Sequence, residues 1–126
     1  MAEIGIFNGE RTKWIQFDVD TEILIKLITK AELRKINQKA AKKAKFTEQN
    51  VNDVADNLLG QAVVKGWRKI KDHEHPGITV DKKPLPFTPE NIDMLMTGSI
   101  KFSRFVNEAC INEDEFIDDG EEIKND

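Results

Sequence analysis

Thr21-Glu22-Ile23-Leu24-Ile25-Lys26-Leu27-Ile28-Thr29-Lys30-Ala31-Glu32 is the stretch on which the fold turns. The run from Ile23 to Ile28 is short, rich in β-branched residues and bounded by polar ones, which reads as a strand. A helix over residues 22–28 is the competing reading, because Glu, Leu and Lys are tolerated in both and periodicity alone does not arbitrate so short a run. Thr29-Lys30-Ala31-Glu32 then fits a capping box, in which hydroxyl and carboxylate each satisfy a backbone N–H at a helix start. The apolar period therefore changes from two to 3.6 at Thr29.

Toward the N-terminus, Trp14–Val19 places Ile15, Phe17 and Val19 on one face and Trp14, Gln16 and Asp18 on the other. This is a second strand, expected to pair with the first. Ile4 and Ile6 alternate with Glu3 and Gly5, and Asn8-Gly9 offers a tight hairpin turn.

Toward the C-terminus, Leu33, Ile36, Ala40 and Ala44 recur at helical spacing. Thr47 is expected to cap a second helix opening with Glu48, with Val51, Val54, Ala55, Leu58, Leu59, Ala62 and Val63 as its buried stripe and Gly66 as its stop. Trp67-Arg68-Lys69-Ile70 reads as a short strand. Residues 71–87 hold three of the four prolines and read as an ordered loop in which Ile78, Val80, Leu85 and Phe87 pack.

Thr88-Pro89-Glu90-Asn91 places a capping hydroxyl before a proline at the first helical position, and Ile92, Leu95 and Met96 form the inner face that follows. Ser99 caps a last helix in which Phe102, Phe105, Val106 and Ala109 share one side. From Asn112 onward the chain is acidic and offers few large apolar residues. The fold class read from this pattern is α+β: an N-terminal antiparallel β-hairpin sheet followed by about four helices. One domain is expected over residues 1–112, and a disordered acidic tail over residues 113–126.

Composition narrows the functional classes. Leu, Ile, Val and Phe make up about 28% of the 126 residues, enough for a modest core. One cysteine excludes an intramolecular disulfide and a cysteine-based structural zinc site. No apolar run approaches 18 residues and no signal peptide is evident, so a cytoplasmic protein without membrane contact is expected. The net charge of −4 argues against coating nucleic acid by bulk charge.

That sum conceals two opposed blocks. Residues 26–45 carry eight cations against Glu32 alone, a net +7, whereas residues 108–126 carry nine acids against Lys124, a net −8. The basic stretch lacks interleaved aromatics and reads as a solvated helix face, which the acidic tail could screen within the same chain. A nucleic-acid-associated regulator using residues 26–45 is the alternative function.

Chemistry-bearing constellations are sparse. His73-Glu74-His75 offers metal-ligand residue types, but two imidazoles one residue apart on a loop fall short of the three ligands a catalytic zinc needs. They read as exposed loop histidines. Cys110 lies among acids that disfavour a thiolate and reads as a small hydrophobe. There is no glycine-rich phosphate loop and no Ser–His–acid set. No catalytic, metal or cofactor site is expected, and no enzymatic activity.

Gly66-Trp67-Arg68-Lys69-Ile70-Lys71-Asp72, followed by Lys83-Pro84-Leu85-Pro86-Phe87-Thr88-Pro89-Glu90-Asn91, is the most distinctive part of the chain. It resembles a pattern in small tail-module proteins of tailed bacteriophages and prophages, the phage tail assembly chaperones. There a tryptophan turn leads through a short glycine segment into a proline-flanked helix start. Phe102–Ala109 and the front from Trp14 to Ile36 are also similar to that family. Here the loop from Asp72 to Lys83 is longer, and the position expected to be glycine after Trp67 is not glycine. The resemblance implies a non-enzymatic assembly factor in the bacterial host cytoplasm that holds a tape-measure or tail tube subunit during tail morphogenesis. Trp67, Pro84, Leu85, Pro86, Thr88 and Glu90 are the candidate partner contacts it implies. Trp67 itself also reads as a core plug, with the outer residues of the loop left for contact.

Overall fold

A computed structural model describes residues 10–117. Strand β1 (Thr12–Gln16) pairs antiparallel with β2 (Thr21–Lys26), in register Trp14 to Leu24 and Ile15 to Ile23. Residues 22–26 are thus strand and 27–28 are not helical, because strand pairing on both sides of β2 decides what periodicity could not. Thr21, Ile23 and Ile25 face inward and are buried, while Glu22, Leu24 and Lys26 face outward and are half-buried. The two strands meet in a turn where the Asp18 carboxylate accepts from the backbone N–H groups of Asp20 (2.9 Å) and Thr21 (2.8 Å). Val19 lies in this turn with 83% of its surface exposed, so the strand expected to reach it stops at Gln16. The alternating residues 4–6 and the Asn8-Gly9 turn lie outside the described residues.

β2 leads directly into helix α1 (Lys30–Thr47). The expected capping box is present: Thr29 Oγ1 accepts from Glu32 N at 3.1 Å, and Glu32 Oε1 accepts from Thr29 N at 3.0 Å. Lys26 pairs with the same carboxylate. That ammonium, helped by the Thr29 N–H, holds the Glu32 carboxyl below the usual carboxylate range.

Helix α2 (Val51–Val63) returns along α1, with Ala40 and Ala44 against Val54, Ala55 and Leu58. Its cap is Asn50, whose side chain accepts from Asn52 N and Asp53 N, and not Thr47. The Thr47 hydroxyl instead donates back to Lys43 O at 2.7 Å, which keeps Thr47 in α1. Gly66 does not stop α2. The helix passes at Val63 straight into strand β3 (Val64–Lys69), where Gly66 sits opposite Leu24. The reason is steric: a Cβ at Gly66 would lie 3.3 Å from the Trp14 indole that crosses it. β3 completes a three-stranded sheet in the order β1-β2-β3, so the two-helix arm is inserted between neighbouring antiparallel strands.

Beyond a loop, the small hairpin β4 (Thr79–Val80) and β5 (Lys83–Pro84) turns through Asp81 and Lys82, both in the left-handed region. Helix α3 (Pro89–Gly98) is capped by Thr88 and α4 (Ile100–Ala109) by Ser99, as the sequence indicates. The core joins Ile23, Ile25 and Trp67 of the sheet to Leu59, Ile92, Met96, Phe102 and Val106 of the helices.

The acidic segment departs from expectation at its start. Asp114–Ile117 forms a short helical turn, α5, against β1, and Phe116 is only 2% exposed. Arg11 Nη1 donates to Phe116 O at 3.2 Å and Lys13 lies 3.7 Å from Glu115, so structure continues past residue 112. The rest of the expected tail, residues 118–126, lies outside the described residues. Truncating Phe116 to alanine is expected to destabilise the fold by about 3–5 kcal/mol in chemical denaturation, the cost of emptying an aromatic site. A loss below about 0.5 kcal/mol, the range of ordinary surface substitutions, would place residues 113–117 outside the cooperative unit.

Candidate functional site

The proline segment owes its shape to Trp67. On β3 the indole points inward, packs edge-on against Phe102 at 6.0 Å and Phe87 at 4.9 Å, and donates its Nε1–H to Leu85 O at 2.8 Å. Leu85 N donates to Ile78 O at 2.8 Å, and Asn91 Nδ2 donates to Pro86 O at 2.8 Å. Three backbone groups of the segment are thus held by three separate residues, Trp67, Ile78 and Asn91. Gly77 closes the loop behind: its φ is +79°, and a Cβ there would lie 2.8 Å from the Arg68 backbone. Thr21 Oγ1 donates to Gly77 O at 2.8 Å, which ties this corner to β2.

The six residues singled out in the sequence separate by exposure. Pro84, Pro86 and Glu90 lie open on the outside, whereas Leu85 and Thr88 are half-buried. The Thr88 hydroxyl is engaged, accepting from Asn91 N at 3.1 Å. Trp67 is 4% exposed and lies in the core cluster, the position of a core plug. Phe87 was not among the candidates, yet its ring is 41% exposed between the two open prolines and the α3 cap. Its alternation with Pro86 and Thr88 carried no local signal for this; only the edge-on contact with Trp67 leaves one side of the ring outside. Pro84, Pro86 and Phe87 are exposed apolar residues within four positions, a small apolar ledge followed along the chain by exposed Glu90.

The outward face of the sheet holds a second arrangement. Arg68 lies 3.7 Å over the Trp14 ring, and Glu22 Oε2 accepts from Arg68 Nε at 2.6 Å. His73 Nε2 stands 3.8 Å from the same Glu22 carboxylate. Guanidinium stacking on an indole held by a carboxylate is a stable polar cover for a sheet face. The sequence signal for it was Gly66 itself, a glycine within a strand marking close approach by another group. His75 faces elsewhere: its Nδ1 accepts from Gly77 N at 2.9 Å and its carbonyl from Lys69 N at 2.8 Å. His75 therefore braces the loop and is half-buried, whereas His73 is exposed, as expected of a loop histidine. Among the described residues no group of three His, Cys, Asp or Glu side chains is placed to hold a metal ion.

Cys110 is fully buried beneath α4, and burial pushes its thiol up to about 11. The third arrangement is the two-helix arm. All seven Lys and Arg residues of α1 are exposed, and Phe46 near its tip is 87% exposed.

An exposed apolar ledge and a cationic helical arm on a three-stranded sheet define a small α+β protein whose distinctive features are surfaces. The chain belongs to the YdaY prophage protein family, whose model matches residues 20–123. No curated protein and no solved structure matches it. No helix among the described residues is long and apolar enough to cross a membrane.

Trp67→Ala is expected to cost about 3–5 kcal/mol and to loosen the Pro84–Glu90 segment. Retained stability in urea titration would contradict its anchoring role. Cys110 supplies a pH dependence with a defined sign. Its folded-state pKa lies above that of an exposed thiol, so its contribution is intact below about pH 8.5 and is lost as pH rises toward 11. Urea midpoints measured from pH 8 to 11 should fall more steeply for the native chain than for Cys110→Ala.

Proposed function

We propose that this prophage protein is a non-enzymatic tail-assembly factor that binds the tape-measure or tail tube protein in the host cytoplasm. The observation that carries the proposal is the ledge of Pro84, Pro86 and Phe87, an apolar surface kept open by bonds to its backbone. Holding an assembly intermediate requires an ordered apolar contact that releases again, with no bond chemistry. Pre-fixing the segment through Trp67 and Asn91 lowers the ordering cost of such a contact. The resemblance of residues 66–91 to phage tail assembly chaperones supplies the partner class, and the family's prophage origin agrees with it. Nucleic acid and membrane are not partners in this reading.

The alternative, a nucleic-acid-associated regulator, draws on the exposed cations of α1, to which phosphates would bind with a steep salt dependence. Co-expression with the tape-measure and tail tube proteins of the same prophage distinguishes the two. The tagged chain should retain one of them. Pro86→Asp combined with Glu90→Lys should reduce that retention about tenfold or more, equivalent to about 1.4 kcal/mol, without changing the melting temperature. Failure to retain either tail protein, together with salt-dependent retention of duplex DNA, would replace this function with the regulator.

A further inference from the structure

The seven cations of α1 form no ion pair with any described acidic residue, and the helix's one acid, Glu32, is already engaged by Lys26. Lys35, Lys39 and Lys42 recur at i, i+4 and i+7, on the side of α1 away from Ala40 and Ala44. An unopposed cationic ridge of this length repels itself, and a segment of opposite charge lying along it would be stabilising.

Such a segment begins nearby. Residues 118–126 contain five acids and one lysine, and they follow Ile117 at the end of α5. Through Arg11, two bonds tie the last described turn, α5, to the approach to α1. Phe116 O accepts from the Arg11 side chain, and Arg11 O accepts from Leu27 N at 2.8 Å, two residues before the cap of α1. Ile28 N also donates to Cys110 O at 2.9 Å, which holds the approach to α1 against the end of α4. Nine extended residues span about 30 Å, and the eighteen residues of α1 about 27 Å.

We propose that residues 118–126 dock along the cationic face of α1 in the same molecule. The partner is a polyacidic peptide segment, and the site is the ridge of lysines. Each exposed pair adds little, but the covalent connection places the acids at an effective concentration in the millimolar range, so that several weak pairs suffice. The contact covers α1 independently of which partner the Pro84–Phe87 ledge binds. It also accounts for a chain with a +7 block whose net charge is −4.

The test is paramagnetic relaxation in the full chain carrying Asn125→Cys with a nitroxide label. Cys110 is buried and its thiol stays protonated, so the label goes to position 125 alone. At about 20 mM salt the amide signals of Lys30–Lys42 should lose about half their intensity or more, and those of α3 should be unaffected. The loss should disappear at about 0.5 M salt, where charges are screened within about 4 Å. It should also disappear in Lys35→Glu/Lys39→Glu/Lys42→Glu, and the salt series stands alone if that variant fails to fold. Unchanged α1 signals at low salt would overturn the proposal. So would broadening of an unlabelled isotopic chain mixed with the labelled one, which would assign the contact to a second copy.

Discussion

The indole N–H of Trp67, bonded to the Leu85 carbonyl, joins parts of the chain that have little else in common. One side of that bond is a sheet built on alternation, and the other is a proline-rich passage whose own ladder is only the short β4–β5 hairpin. The ring also touches Phe102, so the same side chain links β3 to α4. A buried indole without a partner for its N–H would cost free energy, and a carbonyl left open beside prolines would do the same. Each satisfies the other, and the shape of the outer ledge follows from that pairing.

Most of the elements were legible because their ends carry local chemistry. Thr29, Thr88 and Ser99 are caps that the sequence announces within four residues, and the hydrogen bonds sit where the spacing puts them. The exceptions are positions whose deciding partner is distant in sequence or lies on a different element. Thr47 reads as a cap, but its hydroxyl is taken by Lys43 and the cap passes to Asn50. Gly66 reads as a helix stop, but its missing side chain makes room for Trp14, fifty-two positions earlier. Phe116 stands among acids and gave no periodic signal, yet Arg11 and β1 bury it. Of the candidate site, the exposed Pro84, Pro86 and Glu90 were readable from the proline pattern. Phe87 was not, since its place depends on the ring contact with Trp67, and the Arg68–Trp14 stack, whose one cue is Gly66, depends on register across the sheet.

Charge is distributed with the same division of labour. Where the sheet turns outward, Glu22 meets Arg68 within it, and Lys26 reaches Glu32 in the first turn of α1. On α1 the cations are left without described partners, so the arm differs from the body in electrostatics as well as in shape. Its small contact surface of Ala40, Ala44 and Val54 contributes little apolar burial compared with the core under the sheet. The distal half of the arm therefore belongs to the low-stability end of the fold, whereas its base, with Leu33, Leu59 and Val63, packs into the main core.

The junction between Val63 and Val64 has a mechanical consequence. A hinge requires residues whose φ and ψ are free to change, and none stands between the last turn of α2 and the first pair of β3. At the other leg, Ile28 is bonded to Cys110 and Thr29 is locked in its capping box. Both legs of the arm are therefore clamped to neighbouring strands, like a lever built into its mounting. A load applied near Phe46 would reach the sheet as torque on β3, the strand that carries Trp67.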